Sequence, residues 1–337
     1  MYILGIETSC DDTAAAVLDG EGTVQANIIS SQDTLHQRFG GIVPELASRR
    51  HMELITVNVD RALRRAHLDF ADIDLISVTQ GPGLIGSLLV GFSYAKALSF
   101  TRKIPFVGVD HMAGHLLSAF LEKDQPAFPY VALIVSGGTS ALFKVTGFTD
   151  FALIGSTRDD AAGEAFDKIA RYLQLGYPGG PVVSRHAERG NPAAVSLPRA
   201  WLAEHAHDFS FSGLKTAVLN HCNRLRQTGE LDDAKKNDIC ASFQQAVVDV
   251  LVRKTVAAAL AHEIDTIVLG GGVSANRELR GQMSEACHGK GLSLHLPVLE
   301  NCTDNAAMIA FAGLKKFETG AEGMYDDDVF SRSPLGR

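Results

Sequence analysis

Ile3-Leu-Gly-Ile-Glu-Thr-Ser-Cys-Asp-Asp-Thr-Ala-Ala-Ala-Val17 reads as an apolar strand that breaks into a small polar turn and returns as a second apolar strand. Leu133-Ile-Val-Ser-Gly-Gly-Thr-Ser-Ala-Leu-Phe-Lys-Val145 has the same plan. Two copies within one chain predict an internal duplication, one hairpin opening each of two α/β lobes. Two unrelated hairpins of an ordinary α/β chain would read the same way.

Between and beyond the hairpins the pattern is that of alternating helices and strands. Helical spacing of apolar residues runs from Pro44 to Leu63, Ile73 to Val78 is a strand, and a helix rich in small residues runs from Gly86 to Leu98. Ile104 to Val109 is a strand leading directly into His111, and the stretch from Ser156 to about His262 is mostly helical. Asp265 to Arg277 reads as strand, glycine turn and helix start, and a last helix runs from Asn305 to Phe317. The tail after Gly323 reads as loosely ordered. Lobe I is expected over residues 1–115 and about 304–325, and lobe II over 116–303, with a helical insertion at about 156–262.

A length of 337 residues, with 46% hydrophobic and 21% charged residues, suits two globular domains. No apolar run reaches membrane-spanning length and no signal peptide is read at the N-terminus. The five cysteines, Cys10, Cys222, Cys240, Cys287 and Cys302, suit a reducing compartment, so a cytoplasmic protein is expected. A net charge of −8 argues against a free-standing nucleic-acid binder, although Arg49 and Arg50, Arg61 with Arg64 and Arg65, and Lys235 with Lys236 are local basic groups.

Turns of Ser, Thr and Gly at strand ends let backbone N–H groups converge on an anion. Three occur, at Thr8 to Thr13, Ser136 to Ser140 and Gly270 to Gly272, and together they predict a nucleotide held between the lobes. No Walker sequence and no GxGxxG is present, which disfavours P-loop and Rossmann readings.

His111-Met-Ala-Gly-His115 places two imidazoles one helical turn apart, where both can reach one divalent ion. Asp304, in a Thr-Asp-Asn turn, is the choice for a third ligand. One core and one surface histidine, with Asp304 as a plain helix cap, would give the same pattern. Met112 follows His111 and no carboxylate lies between the histidines, so the metalloprotease motif His-Glu-x-x-His is absent. Asp167, seven residues after Asp160, is expected to share its helix face.

Several longer motifs are diagnostic together: Gly5-Ile-Glu-Thr-Ser-Cys-Asp-Asp-Thr13, Gly40-Gly-Ile-Val-Pro-Glu-Leu-Ala-Ser48, His111 to His115, Val135-Ser-Gly-Gly138 and Gly163-Glu-Ala-Phe-Asp-Lys168. Tyr177-Pro-Gly-Gly-Pro181, Asp208 to Lys215, Gly271 to Arg277 and Cys302-Thr-Asp-Asn305 join them. From its first strand to about Lys316 the chain closely resembles the TsaD family of tRNA threonylcarbamoyladenosine-forming transferases.

That resemblance implies the actin-like (ribonuclease H-like, sugar-kinase-like) duplicated fold and an acyltransferase activity. The threonylcarbamoyl group of threonylcarbamoyl-adenylate would pass to N6 of the adenosine just 3′ of the anticodon, in tRNAs reading codons that begin with A, with release of AMP. It implies metal ligands at His111, His115 and Asp304, for one divalent ion, iron(II) before zinc. Substrate contacts are implied at Ile134, Val135, Ser136, Gly137, Gly138, Asp167, Gly180 and Asn276. The implied partners are tRNA, a non-catalytic TsaB-like paralogue and a small TsaE-like P-loop ATPase, with no membrane. Three positions depart from relatives: Thr139, where bacterial members usually carry His; Ser184, where many have an acid near the ribose; and Ile134, where archaeal members have a metal-binding tyrosine.

The acceptor amine must lose a proton as it attacks, and Asp11 or Asp12, at the end of the first hairpin, are the expected base or relay. The rival readings are an actin-like ATPase or kinase, which needs no histidine pair, and a non-catalytic nucleotide-binding scaffold. The small and apolar residues of the helices Pro44 to Leu63 and Gly86 to Leu98, among them Gly91, Leu88, Leu89 and Phe92, suit internal packing or a pairing surface equally, and the resemblance implies the pairing surface.

Overall fold

A computed structural model describes residues 1–201 and 207–335 of the chain. Contacts divide it into two compact units: Met1–Pro126 with Thr146–Phe151 and the chain from Pro297, and Ala127–Val145 with Ala152–Leu296.

The first unit holds a five-stranded sheet of β1 (Tyr2–Glu7), β2 (Asp12–Asp19), β3 (Val24–Ser31), β4 (Leu75–Gly81) and β5 (Phe106–Asp110), in the order β3-β2-β1-β4-β5. The second holds β6 (Tyr130–Val135), β7 (Ser140–Gly147), β8 (Asp150–Ser156), β9 (Thr266–Gly270) and β10 (Ser293–His295), in the order β10-β9-β6-β7-β8. β1 runs antiparallel to β2 and parallel to β4, and β6 runs antiparallel to β7 and parallel to β9. The two sheets therefore share one topology, with the quoted hairpins in equivalent places.

Both hairpins are apolar because both are buried. Ile3, Leu4 and Ile6 of β1, and every residue of β6, are shielded from water. In the first unit the helix Ala306–Glu318 lies against the sheet with its Ala306–Leu314 face buried. The contact is close because Gly5 has no side chain: a Cβ there would run into the Ala306 carbonyl and Ala310. A methyl group on Gly313 would likewise strike Ser77, whose Oγ donates to the Ile309 carbonyl at 2.6 Å.

Several expected bounds shift. The strand expected at Ile73 to Val78 is β4, three residues further on at its end, and the two neighbouring helices are Pro44–Ala66 and Ile85–Arg102. Ser156 closes β8 instead of opening the helical stretch, which comprises Ala162–Tyr172, Gly179–Ala187, Ser212–Gln227 and Asp233–Ala261. Beyond Gly323, Tyr325 packs on Phe100 and Phe106, the Phe330 N–H donates to the Gln80 carbonyl, and Ser333 donates to Asp110, so this tail is anchored.

The expected pairing residues also change. Leu88, Gly91 and Phe92 face the core, where a Cβ on Gly91 would run into Thr8, while Leu89 remains exposed. Ser87, Gly91 and Ala95 on that helix serve internal packing, while Ser93 and Ala97 are exposed.

Gly5→Ala is expected to destabilise the chain by about 2 kcal/mol or more, because the added methyl forces the helix Ala306–Glu318 off the sheet. Chemical denaturation of the two proteins measures it.

Candidate active site

The first unit gathers its functional side chains at the carboxyl ends of β1, β4 and β5, the usual ligand-binding edge of a parallel sheet. β5 runs straight into the helix His111–Leu117, and the Asp110 carboxylate caps it by accepting the Met112 N–H at 2.8 Å. A seven-residue helix puts His111 and His115 on one face, with ring centroids 4.7 Å apart. Both rings are buried.

Asp304 comes from the other end of the chain. It does not cap the final helix: Asn305 does so, its Oδ1 accepting the Met308 N–H at 2.9 Å. Asp304 is thereby free to face the histidines, with Oδ1 at 3.1 Å from His115 Nε2 and 3.4 Å from His111 Nε2. Ligand atoms on a tetrahedral zinc stand about 3.3 Å apart, given metal–ligand lengths near 2.05 Å. Both Asp304–histidine distances match that spacing, and one ligand atom from each of the three residues lies within 4.8 Å of the others. His115 Nδ1 is buried without a hydrogen-bond partner, so this ring is oriented by what its Nε2 faces.

The electrostatics point the same way. Burial works against the ionised Asp304, but the charge of His111 and the bonds from both histidines hold its carboxyl far below the usual range. Burial also works against a charged His111, yet Asp304 and Glu7 raise its pKa well above the ordinary imidazole value. Burial lowers His115. A buried carboxylate, Glu7, and a half-buried one, Asp304, around two imidazoles form a pocket that favours positive charge, which fits a divalent cation.

Glu7, Ser9 and Thr79 complete this cluster, and the motif reading passed them over. Glu7 is wholly buried and lies 2.9 Å from His111 Nδ1. A glutamate inside an otherwise apolar strand was the available signal.

Asp11 lies in the turn between β1 and β2, and Asp12 begins β2. Burial, then the charge of Asp304, pushes Asp11 up to about 6 and Asp12 up to about 8. Asp12 Oδ1 is buried with no partner. The turn is pinned by His51, a fully buried side chain of the helix Pro44–Ala66. It meets the Thr13 hydroxyl at 2.8 Å and the Cys10 carbonyl at 3.0 Å.

The second unit gathers the expected substrate residues around β6 and β9. Ile134 and Val135 are strand residues with wholly buried side chains, so only their backbone can meet a ligand. The Ser136 N–H donates to the Thr139 carbonyl at 2.8 Å, which closes the turn over Gly137 and Gly138, where an added Cβ would point into open space. Residue 139 acts here through its backbone, which a threonine supplies as well as a histidine would. Gly163 and Gly271 let the neighbouring backbone approach this strand end: a Cβ on either would strike Ser136 or Val135.

Asp167 Oδ1 accepts the Gly179 N–H at 2.7 Å and so holds the start of the helix that carries Gly180, whose Cα faces open space. Asp160 lies before the helix Ala162–Tyr172 and pairs with Lys168 and Lys215, so it does not share a helix face with Asp167. The Gly270 to Gly272 turn passes through one 3-10 turn, Gly272–Ala275, before the helix Arg277–His288 begins. Asn276 caps that helix through Oδ1, and its Nδ2 donates to Ser184 Oγ and Gln244 Oε1, both at 2.9 Å. Its side chain is therefore engaged within the protein, and the Ser184 hydroxyl, donating to Gln244 at 2.8 Å, is ordered by it.

A family model described as tRNA N6-adenosine threonylcarbamoyltransferase matches residues 23–311. A relative of that name from Desulfotalea psychrophila is 58% identical over all of this chain and 98% of its own length. One from Bacillus subtilis is 50% identical over 97% of this chain and 93% of its own. Among solved structures, T. kodakarensis HypF is similar with a TM-score of 0.62 at 15% identity, over 94% of this chain and 48% of that one. The Acidaminococcus fermentans (R)-2-hydroxyglutaryl-CoA dehydratase component A is similar with a TM-score of 0.52 at 18% identity, over 94% of this chain and 98% of that one. At such identities these two likenesses concern the fold alone, the duplicated actin-like α/β architecture.

Asn276→Ala is expected to lower stability by about 1–2 kcal/mol, through the lost cap and the unpaired Gln244 and Ser184. Thermal or chemical unfolding tests it.

Proposed function

Because the chain belongs to the TsaD family of tRNA N6-adenosine threonylcarbamoyltransferases, we propose that it transfers a threonylcarbamoyl group to N6 of an adenosine in tRNA. Identity of 58% along the whole chain is the observation that carries this reading. In finer detail, the donor is threonylcarbamoyl-adenylate and the acceptor is the adenosine just 3′ of the anticodon, in tRNAs reading codons that begin with A.

The donor is a mixed anhydride, already activated, and AMP is a good leaving group. The protein has to hold the phosphate, orient the carbonyl and accept a proton. The N–H groups of Gly137 and Gly138 suit the phosphate. Gly180, on the helix start fixed by Asp167, and the Ser184 hydroxyl ordered by Asn276 suit the sugar and base. Ser184 offers an uncharged contact where many relatives have an acid.

His111, His115 and Asp304 would hold one divalent ion. Two histidines and one carboxylate with positions left open favour iron(II), with zinc as the second choice. When bound, such an ion supplies Lewis-acid stabilisation of a developing oxyanion or ligation of threonyl oxygens. Of the two expected bases, Asp11 is the better: burial and the charge of Asp304 raise it less, to about 6, than they raise Asp12, to about 8.

A TsaB-like paralogue and a TsaE-like ATPase are proposed as partners in the cytoplasm. Among the described residues no helix is long and apolar enough to cross a membrane. The pairing surface moves to the exposed Met52, Ile85 and Leu89, on two helices that pack together through Ser48 and Ser87.

Mass spectrometry of unmodified tRNA incubated with the chain, threonylcarbamoyl-adenylate and the two partners is expected to detect threonylcarbamoyl-adenosine, and the isolated chain is expected to hydrolyse negligible ATP. Steady ATP turnover with no change in tRNA mass would favour the kinase reading. In the same assay Asp11→Asn is expected to slow transfer by about 100-fold or more, and Asp12→Asn by less. The reverse order would reassign the base.

A further inference from the structure

Glu7 ends β1 and is fully shielded from water. An ionised carboxylate survives there only if its oxygens are filled, and they are. Oε1 accepts the Ser9 N–H, while Oε2 accepts the Thr79 hydroxyl at 2.6 Å and faces His111 Nδ1 at 2.9 Å. A carboxylate oxygen can only accept from Nδ1, so Nδ1 carries a proton and any lone pair of this ring belongs to Nε2. Nε2 is the nitrogen beside Asp304 Oδ1. His115 has no equivalent support, since its Nδ1 is without a partner.

We propose that Glu7 is the positioning residue of the metal centre, fixing His111 as the Nδ1–H tautomer with Nε2 presented to a divalent cation. This rests on the reading of His111, His115 and Asp304 as ligands. Hydrogen bonding of a ligand imidazole to a carboxylate fixes its ring and raises its basicity. Glu7 also takes the Ser9 N–H, so one carboxylate sets both the His111 ring and the start of the turn carrying Asp11.

Metal-free full-length chain is titrated with zinc against a chromophoric chelator. His115→Ala, which removes a ligand, is expected to abolish one-to-one binding. Glu7→Gln is expected to weaken zinc binding about 10- to 100-fold, because wherever its NH2 group lies it faces a donor, Ser9 N–H or the Thr79 and His111 pair. Thr79→Val, which leaves the Glu7–His111 contact, is expected to weaken it less than about 3-fold. In zinc-loaded wild type labelled with 15N-histidine, NMR is expected to show His111 protonated at Nδ1 and bound through Nε2, a readout that stands even if Glu7→Gln does not fold. Wild type that binds no zinc would overturn the ligand assignment itself. Wild-type binding matched by folded Glu7→Gln, or His111 bound through Nδ1, would overturn the role of Glu7 alone.

Discussion

The close contact between the helix Ala306–Glu318 and β1 governs the geometry of the first unit. Gly5 leaves room for the helix backbone, Gly313 leaves room for Ser77, and the Ser77 hydroxyl ties the two elements through the Ile309 carbonyl. A bulkier strand would hold the helix off by roughly the width of a methyl group. Asp304 stands two residues before that helix, so its distance to the histidines is set by this packing. Spacings of 3.1 and 3.4 Å between ligand atoms leave little tolerance for such a shift.

Burial of charge is the second constraint. Glu7 and Asp304 are carboxylates in a poorly solvated place, and in the chain by itself His111 compensates them as an imidazolium. A divalent cation supplies the same compensation while leaving both imidazoles neutral. The neighbouring Asp11 and Asp12 feel burial and the charge of Asp304 as a rise in their own pKa values.

The second unit uses backbone where the first uses side chains. Its strand ends are approached closely by glycines, and the groups left open at Gly137, Gly138 and Gly180 have no Cβ to screen them. Asp167 Oδ1 and Asn276 Oδ1 hold helix starts, and Asn276 Nδ2 donates to Ser184 and Gln244.

The sequence by itself determined the duplication, because each hairpin is an uninterrupted apolar run broken by a small polar turn, and burial on both faces demands that composition wherever the strand sits. It also determined the histidine pair, since four-residue spacing on a short helix puts both rings on one side regardless of surroundings. The motifs were long enough to identify the family. Only the tertiary structure decided the rest. Asn305, and not Asp304, caps the last helix, which local sequence leaves ambiguous because either side chain can accept the N–H groups. Gly91 and Gly86 of Ile85–Arg102 pack against Thr8 and Ser48, a choice invisible in composition because close packing asks for small residues inside a fold and at an interface alike. Glu7 acquires its role from His111, 104 residues away, and from Thr79, 72 away. Contacts of that span are created by strand order, and no spacing rule within one element encodes them.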